Sequence, residues 1–134
     1  MTTLRFSQVD VFGASPFGGN PVAVVHGADR LHDEQMAAIA SWTNLSETVF
    51  LLEPTYAEAD YRARIFTPGG ELSFAGHPTL GSAHAWLEAG GEPNDPQALV
   101  QECPAGLIPV RRTDANGLAF AAPPLLRTGP VDGA

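Results

Sequence analysis

Two short segments hold the residues best suited to moving a proton. In Asn44-Leu45-Ser46-Glu47-Thr48 a carboxylate sits between a predicted helix and a predicted strand. A carboxylate at such a junction can project into a cleft while rigid elements fix its backbone, which suits a general acid or base. The same glutamate also fits a solvated loop in which Ser46 satisfies backbone groups. Gly76-His77-Pro78-Thr79 opens a second helix. The N–H groups of a helix N-terminus attract anions, so a substrate carboxylate could dock there. An imidazole at that place can donate a hydrogen bond or carry a proton near neutral pH. Its other reading is a plain cap on the helix.

The remaining chemistry-bearing residues form weaker patterns. His84, two helical turns after His77, reads as a core or interface histidine. His26 and His32 lack partners at metal-ligand spacing, so no metal site is expected. Gly18-Gly19 is not a phosphate loop, because no lysine follows it and the next element is a strand. Cys103 reads as a small buried apolar residue. Arg62 and Arg64 share one face of a strand, as surface charges or as contacts for an acidic ligand, and Glu71 is a candidate cleft residue.

The elements that must position these groups follow from periodicity and punctuation. Alternation predicts strands over 4–12, 21–26, 47–52, 60–66 and 71–74, then 98–103, 107–112 and 118–122. Asp33 is placed to cap a first helix with Met36, Ile39 and Ala40 on its apolar face. The second helix runs from Pro78, at its first position, to Ala89, and Gly90-Gly91 ends it. From His77 to Leu87 there is no Asp, Glu, Lys or Arg, and Gly81, Ser82, Ala83 and Ala85 are small. A helix without a charged face is buried on most sides. The expected fold is therefore α+β, with a strongly curved, mostly antiparallel sheet wrapped around a central helix.

Composition narrows the function classes. The chain has 134 residues, enough for one domain, and 44% of them are hydrophobic, too many for a disordered protein. Seven arginines and no lysine face 15 acidic residues, for a net charge of −8, which disfavours nucleic acid and anionic membranes as partners. A single cysteine rules out an internal disulfide. No apolar run approaches the roughly 18 residues of a membrane span. Met1-Thr2-Thr3-Leu4-Arg5 has no signal-peptide pattern, so a cytoplasmic location is expected.

Taken in order, Asp10-Val11-Phe12, Phe17-Gly18-Gly19-Asn20-Pro21-Val22-Ala23-Val24-Val25, Asn44-Leu45-Ser46-Glu47-Thr48-Val49-Phe50, Arg64-Ile65-Phe66-Thr67-Pro68, Glu71 and Gly76-His77-Pro78-Thr79-Leu80-Gly81 resemble the PhzF family of phenazine-biosynthesis isomerase-like proteins. The resemblance runs from about residue 4 to residue 122. It implies the diaminopimelate epimerase fold and a domain over 1–122, with 123–134 as a flexible tail or truncated linker. It implies an isomerase that works on a small cyclic carboxylic acid without metal or organic cofactor. Glu47 matches the family's acid/base carboxylate. Gly76 and His77 match its substrate-contacting pair, with Ser46 and Asn20 as further substrate-binding positions. Ala75 stands where related epimerases carry a catalytic cysteine, so thiol-based racemisation is not expected.

The chain is about half a usual family member in length. A second half, either another copy in a homodimer or a separately encoded chain, is expected to complete the cleft. Ala75, Gly76 and Leu45 are expected on the apolar face that this partner covers. The competing readings are a non-catalytic module that binds a small acid and a truncated half-domain.

Overall fold

The computed structural model describes residues 3–11, 18–113 and 117–120. In chain order it contains β1 (Phe6–Val11), β2 (Asn20–Val25), a 3-10 turn (Ala28–Arg30), α1 (Asp33–Thr43), β3 (Thr48–Leu52), β4 (Tyr61–Thr67), β5 (Gly70–Leu72), α2 (Gly76–Glu88), β6 (Ala98–Cys103), β7 (Gly106–Arg112) and β8 (Leu118–Phe120). The expected tail over 123–134, and the end of the last predicted strand, lie outside the described residues.

The strands form one sheet in the order β1-β2-β3-β4-β6-β7-β8, with β5 paired to β4. β2–β3 and β4–β6 are parallel, and the other pairs are antiparallel. The sheet curls around α2, which packs against β1, β2, β3, β6 and β8. The α+β architecture of a curved sheet around a central helix is the one the charge-free stretch foretells.

Two apolar clusters fill the two sides of the sheet. Val22, Val24, Val49, Leu51, Ile65, Leu99 and Val110 pack inward with Ala83 and Ala85 of α2. Val25, Phe50 and Phe66 pack outward against Met36 and Ala40 of α1. Strands covered on both faces read as unbroken apolar runs, which explains Val22-Ala23-Val24-Val25 and Val49-Phe50-Leu51. β1 has only one covered face, and it alternates: Val9 and Val11 turn toward α2 while Phe6, Gln8 and Asp10 are exposed.

The small residues of α2 set how near the sheet comes. A Cβ built on Gly81 would lie 2.2 Å from Val22 Cγ1, so only glycine lets β2 pass this close. The helix closes with a double hydrogen bond: Gly90 N–H donates to Leu87 O, and Gly91 N–H donates to Trp86 O, both at 3.0 Å. Gly90 has φ +100°, which a side chain would resist. Near the end of the helix, Trp86 stacks on the buried Tyr61 with ring centres 5.3 Å apart.

Several local expectations need correction. α2 begins at Gly76, two residues before Pro78, so Pro78 sits in the middle of the first turn. Its missing N–H is still one that no helix carbonyl would have used, because the first intrahelical bond runs from Thr79 N to Ala75 O. α1 is capped by His32, not Asp33. The Gln35 side chain accepts the His32 amide at 2.8 Å, and Asp33 turns to Arg64 instead, at 2.7 Å. Ala75 is 2% exposed rather than part of an open apolar face, and the Phe120 ring lies against the neighbouring Gly76.

Candidate active site

Glu47 is held in the connection between α1 and β3 by fixed points on both sides. Asn44 takes a left-handed conformation, φ 58°, which ends α1. Asparagine enters that region more readily than most residues. The Thr43 hydroxyl donates to Ala40 O at 3.0 Å and receives the Thr48 hydroxyl at 3.0 Å. Glu47 O accepts the Ala23 amide of β2 at 3.4 Å. The backbone of the glutamate is thus tied to a helix and to the sheet, while its side chain turns toward α2.

His77 occupies the second position of α2, where N–H groups point out along the axis and the macrodipole is positive. Its Nε2 lies 2.7 Å from the carbonyl oxygen of Asn20. A carbonyl only accepts, so Nε2 carries a hydrogen and donates it. That leaves Nδ1 to face Glu47 Oε2 at 3.4 Å. A hydrogen between these two atoms would let them bond, and without one their lone pairs would face each other. Both side chains are largely withdrawn from water, Glu47 at 18% and His77 at 10% exposure.

The other sequence-selected residues divide. Gly76 precedes His77 and lies under Phe120, where a Cβ would fall 2.5 Å from the ring. Asn20 reaches the pair through its main-chain carbonyl, a role its side-chain type does not reveal. Ser46 is exposed beside Glu47. Glu71 and Arg64 bind each other, with Arg64 Nη2 at 2.7 Å from Glu71 Oε1, and Asp33 completes the cluster. The hydrogen bonds that Arg64 donates to the Glu71 and Asp33 carboxylates hold its guanidinium firmly protonated, although partial burial opposes them. These groups therefore fasten β5 and α1 to β4 and are not set aside for a ligand.

His84 is exposed and pairs with Glu88 one turn on, not with the core. His26 meets Ser7 Oγ at 2.8 Å, and burial together with Arg5 keeps its ring below the usual histidine range. Cys103 is buried, with burial pushing its thiol up. Among the described residues, no three His, Cys, Asp or Glu side chains gather in the way a metal ion needs.

Sequence reasoning missed a set of buried polar groups beneath α2: Thr79, Ser82, Gln101 and Tyr61. A signal was present. Gln101 shares strand parity with Leu99 and Cys103, so a polar side chain stands at an inward position of an otherwise apolar strand face.

A curled α+β sheet wrapped around a helix is the fold that this chain shares with the proline racemase-like structures. The sequence profile of the phenazine biosynthesis-like protein family, PhzC-PhzF, matches residues 9–123, and the chain belongs to that family. It is 55% identical over 108 residues to antisense-enhancing sequence 1 of Schizosaccharomyces pombe, covering 81% of this chain and 36% of that protein. It is 44% identical over 117 residues to the trans-2,3-dihydro-3-hydroxyanthranilate isomerase of Pseudomonas aeruginosa, covering 87% and 40%. The crystal structure of a PhzF-family phenazine biosynthesis protein from Bacillus anthracis superposes with a TM-score of 0.71 at 34% identity, over 85% of this chain and 39% of that one. The chain thus spans about two fifths of the length of the relatives it matches. No helix among the described residues is long and apolar enough to cross a membrane.

Proposed function

We propose that this chain carries the acid–base half of a cofactor-independent isomerase that moves a proton on a small cyclic carboxylic acid. The observation that carries the reading is the Glu47–His77 couple. His77 is held by the Asn20 carbonyl so that Nδ1, and not Nε2, faces the glutamate. Glu47 removes a proton from one ring carbon, the electron pair shifts through the conjugated system, and a proton returns to another carbon. Nothing is oxidised or reduced, and the substrate's composition is unchanged. His77 keeps a proton within reach of Glu47 between the two steps. The substrate carboxylate lies at the start of α2 beside Gly76, with Ser46 and Asn20 at the rim, where the helix dipole favours negative charge.

The relative from Pseudomonas aeruginosa is named for trans-2,3-dihydro-3-hydroxyanthranilate, a ring that bears a carboxylate, and that compound is the first substrate to try. The cleft is completed by a second half, from another copy of this chain or from a separate chain, which closes the site against water. The test is incorporation of solvent deuterium into the recovered acid, with oligomeric mass followed by light scattering. An associated form is expected to incorporate deuterium, and Glu47→Gln is expected to lower the rate by about 10²–10⁴-fold while ligand binding persists. Unchanged turnover in Glu47→Gln would remove the glutamate from the mechanism. A soluble monomer that binds the acid without exchanging it would replace the isomerase with a binding module.

A further inference from the structure

The N-terminus of α2 lacks the usual side-chain cap. Its N-cap residue is Ala75, which has no side-chain acceptor to offer the first amides. A bare first turn is prone to fray, yet this one carries His77. What holds it comes from below, through the sheet.

Thr79 is fully buried, and its hydroxyl donates to Ala75 O at 2.8 Å, alongside the backbone bond from Thr79 N to the same oxygen. That hydroxyl in turn accepts Gln101 Nε2 of β6 at 3.1 Å. The other end of the amide, Gln101 Oε1, accepts the Tyr61 hydroxyl at 3.2 Å and lies 3.0 Å from Ser82 Oγ. Tyr61 and Gln101 are register partners across the parallel β4–β6 pair. Donors and acceptors therefore run in one direction: Tyr61 to Gln101, Gln101 to Thr79, and Thr79 to the carbonyl of Ala75.

Each member is uncharged and 0–1% exposed. A buried amide is costly unless its groups are satisfied, and this one bonds at both ends. The helix is thus anchored without a group that would occupy the amides of its first turn.

We propose that Gln101 is a positioning residue for the Glu47–His77 couple, acting through Thr79 to fix the turn of α2 on which His77 stands. The proposal rests on the couple being the working site. Gln101 acts through the Thr79 hydroxyl and the Ala75 carbonyl, and its effect is on where His77 is held relative to Asn20 O.

The test uses the Nε2–H proton of His77 in NMR spectra of the intact protein. A ring N–H exposed to water exchanges too fast to be seen, whereas one held on a carbonyl gives a signal. Thr79→Val keeps the side-chain shape but removes the hydroxyl, Thr79→Ser keeps the hydroxyl, and Gln101→Met removes the amide. The signal is expected in the wild-type protein and in Thr79→Ser. It is expected to broaden or vanish in Thr79→Val and Gln101→Met, while the ring signals of His84, on the same helix but away from the anchor, stay where they are. Retention of the signal in a folded Thr79→Val protein would overturn the proposal, and that variant decides the matter if Gln101→Met does not fold. Glu47→Gln is the separate control. It tests the reaction and leaves the Nε2–H to Asn20 bond in place, so unchanged exchange in Glu47→Gln would end the catalytic reading without touching the anchor.

Discussion

Glu47 and Glu102 are both carboxylates withdrawn from solvent, and they are treated in opposite ways. Glu102, on β6, is 6% exposed and saturated. Its oxygens accept the Thr55 amide at 2.7 Å, the Thr55 hydroxyl at 2.5 Å and the Tyr56 amide at 3.2 Å, and Arg62 Nε lies 3.9 Å away. Burial alone would push its carboxyl up, but the Thr55 and Tyr56 hydrogen bonds and the Arg62 charge outweigh it and hold the group below the usual glutamate range. Three donors and a nearby guanidinium surround it, so this carboxylate pins the β3–β4 connection. Glu47 Oε2 faces a histidine that has already spent its other nitrogen. A carboxylate surrounded by fixed donors is a structural rivet, whereas Glu47 Oε2 accepts no such set of donors among the described residues and faces one imidazole at 3.4 Å.

The largest effect expected from this contrast is on rate. Glu47→Gln should cost about 10²–10⁴-fold in proton exchange, with a urea midpoint close to that of the wild-type protein. A large loss of stability instead would make Glu47 a second rivet. Glu102→Ala should do the reverse. It strands the Thr55 and Tyr56 donors, and the expected loss is about 1–3 kcal/mol of unfolding free energy, read from urea denaturation, with any residual exchange activity per folded molecule preserved.

The next effect is on pH dependence. Because the folded-state pKa of Glu102 is depressed, its contribution is fully present above the unfolded glutamate value of 4.5 and is lost as pH falls through the lower folded value. Urea midpoints measured from neutral pH into acid should therefore show the wild-type advantage over Glu102→Gln shrinking only below that range. A gap that closed above it would contradict the assignment. The smallest effect is expected at the exposed end of the Arg64 cluster. Asp33→Asn should leave the midpoint nearly unchanged, since an exposed ion pair contributes little.

What the sequence made legible, and what it hid, follows the same division between local and distant causes. The existence and C-terminal end of α2 were readable because Gly90 and the absence of charge are local facts, its start was placed two residues late at Pro78, and strand β6 was readable to its ends. That Glu47 and His77 meet was readable only through a resemblance, since thirty residues separate them. Asn20 is the sharper case: its contribution is a carbonyl, identical in every residue type, delivered by the β2 register from 57 positions away. His84 looked like a core histidine because α2 is charge-free up to Leu87, but the curled sheet leaves one face of the helix uncovered, and His84 and Glu88 share it. Gln101's inward direction was legible in its parity with Leu99 and Cys103, but its partner was not, because Tyr61 lies on a strand forty residues earlier.

The parallel pairing of β4 with β6 has a kinetic consequence. α2 lies in the crossover between these strands, so β6 joins β4 only after the chain has passed across the sheet. The contact between Tyr61 and Gln101 closes a long loop, whose entropy must be lost before the pairing returns anything. Folding should therefore be slow relative to a helical domain of the same size, and until β6 and β8 arrive the part of α2 that they cover stays exposed. The arrangement that places His77 with such definition in the finished molecule makes the half-made one dependent on the prompt arrival of its final three strands.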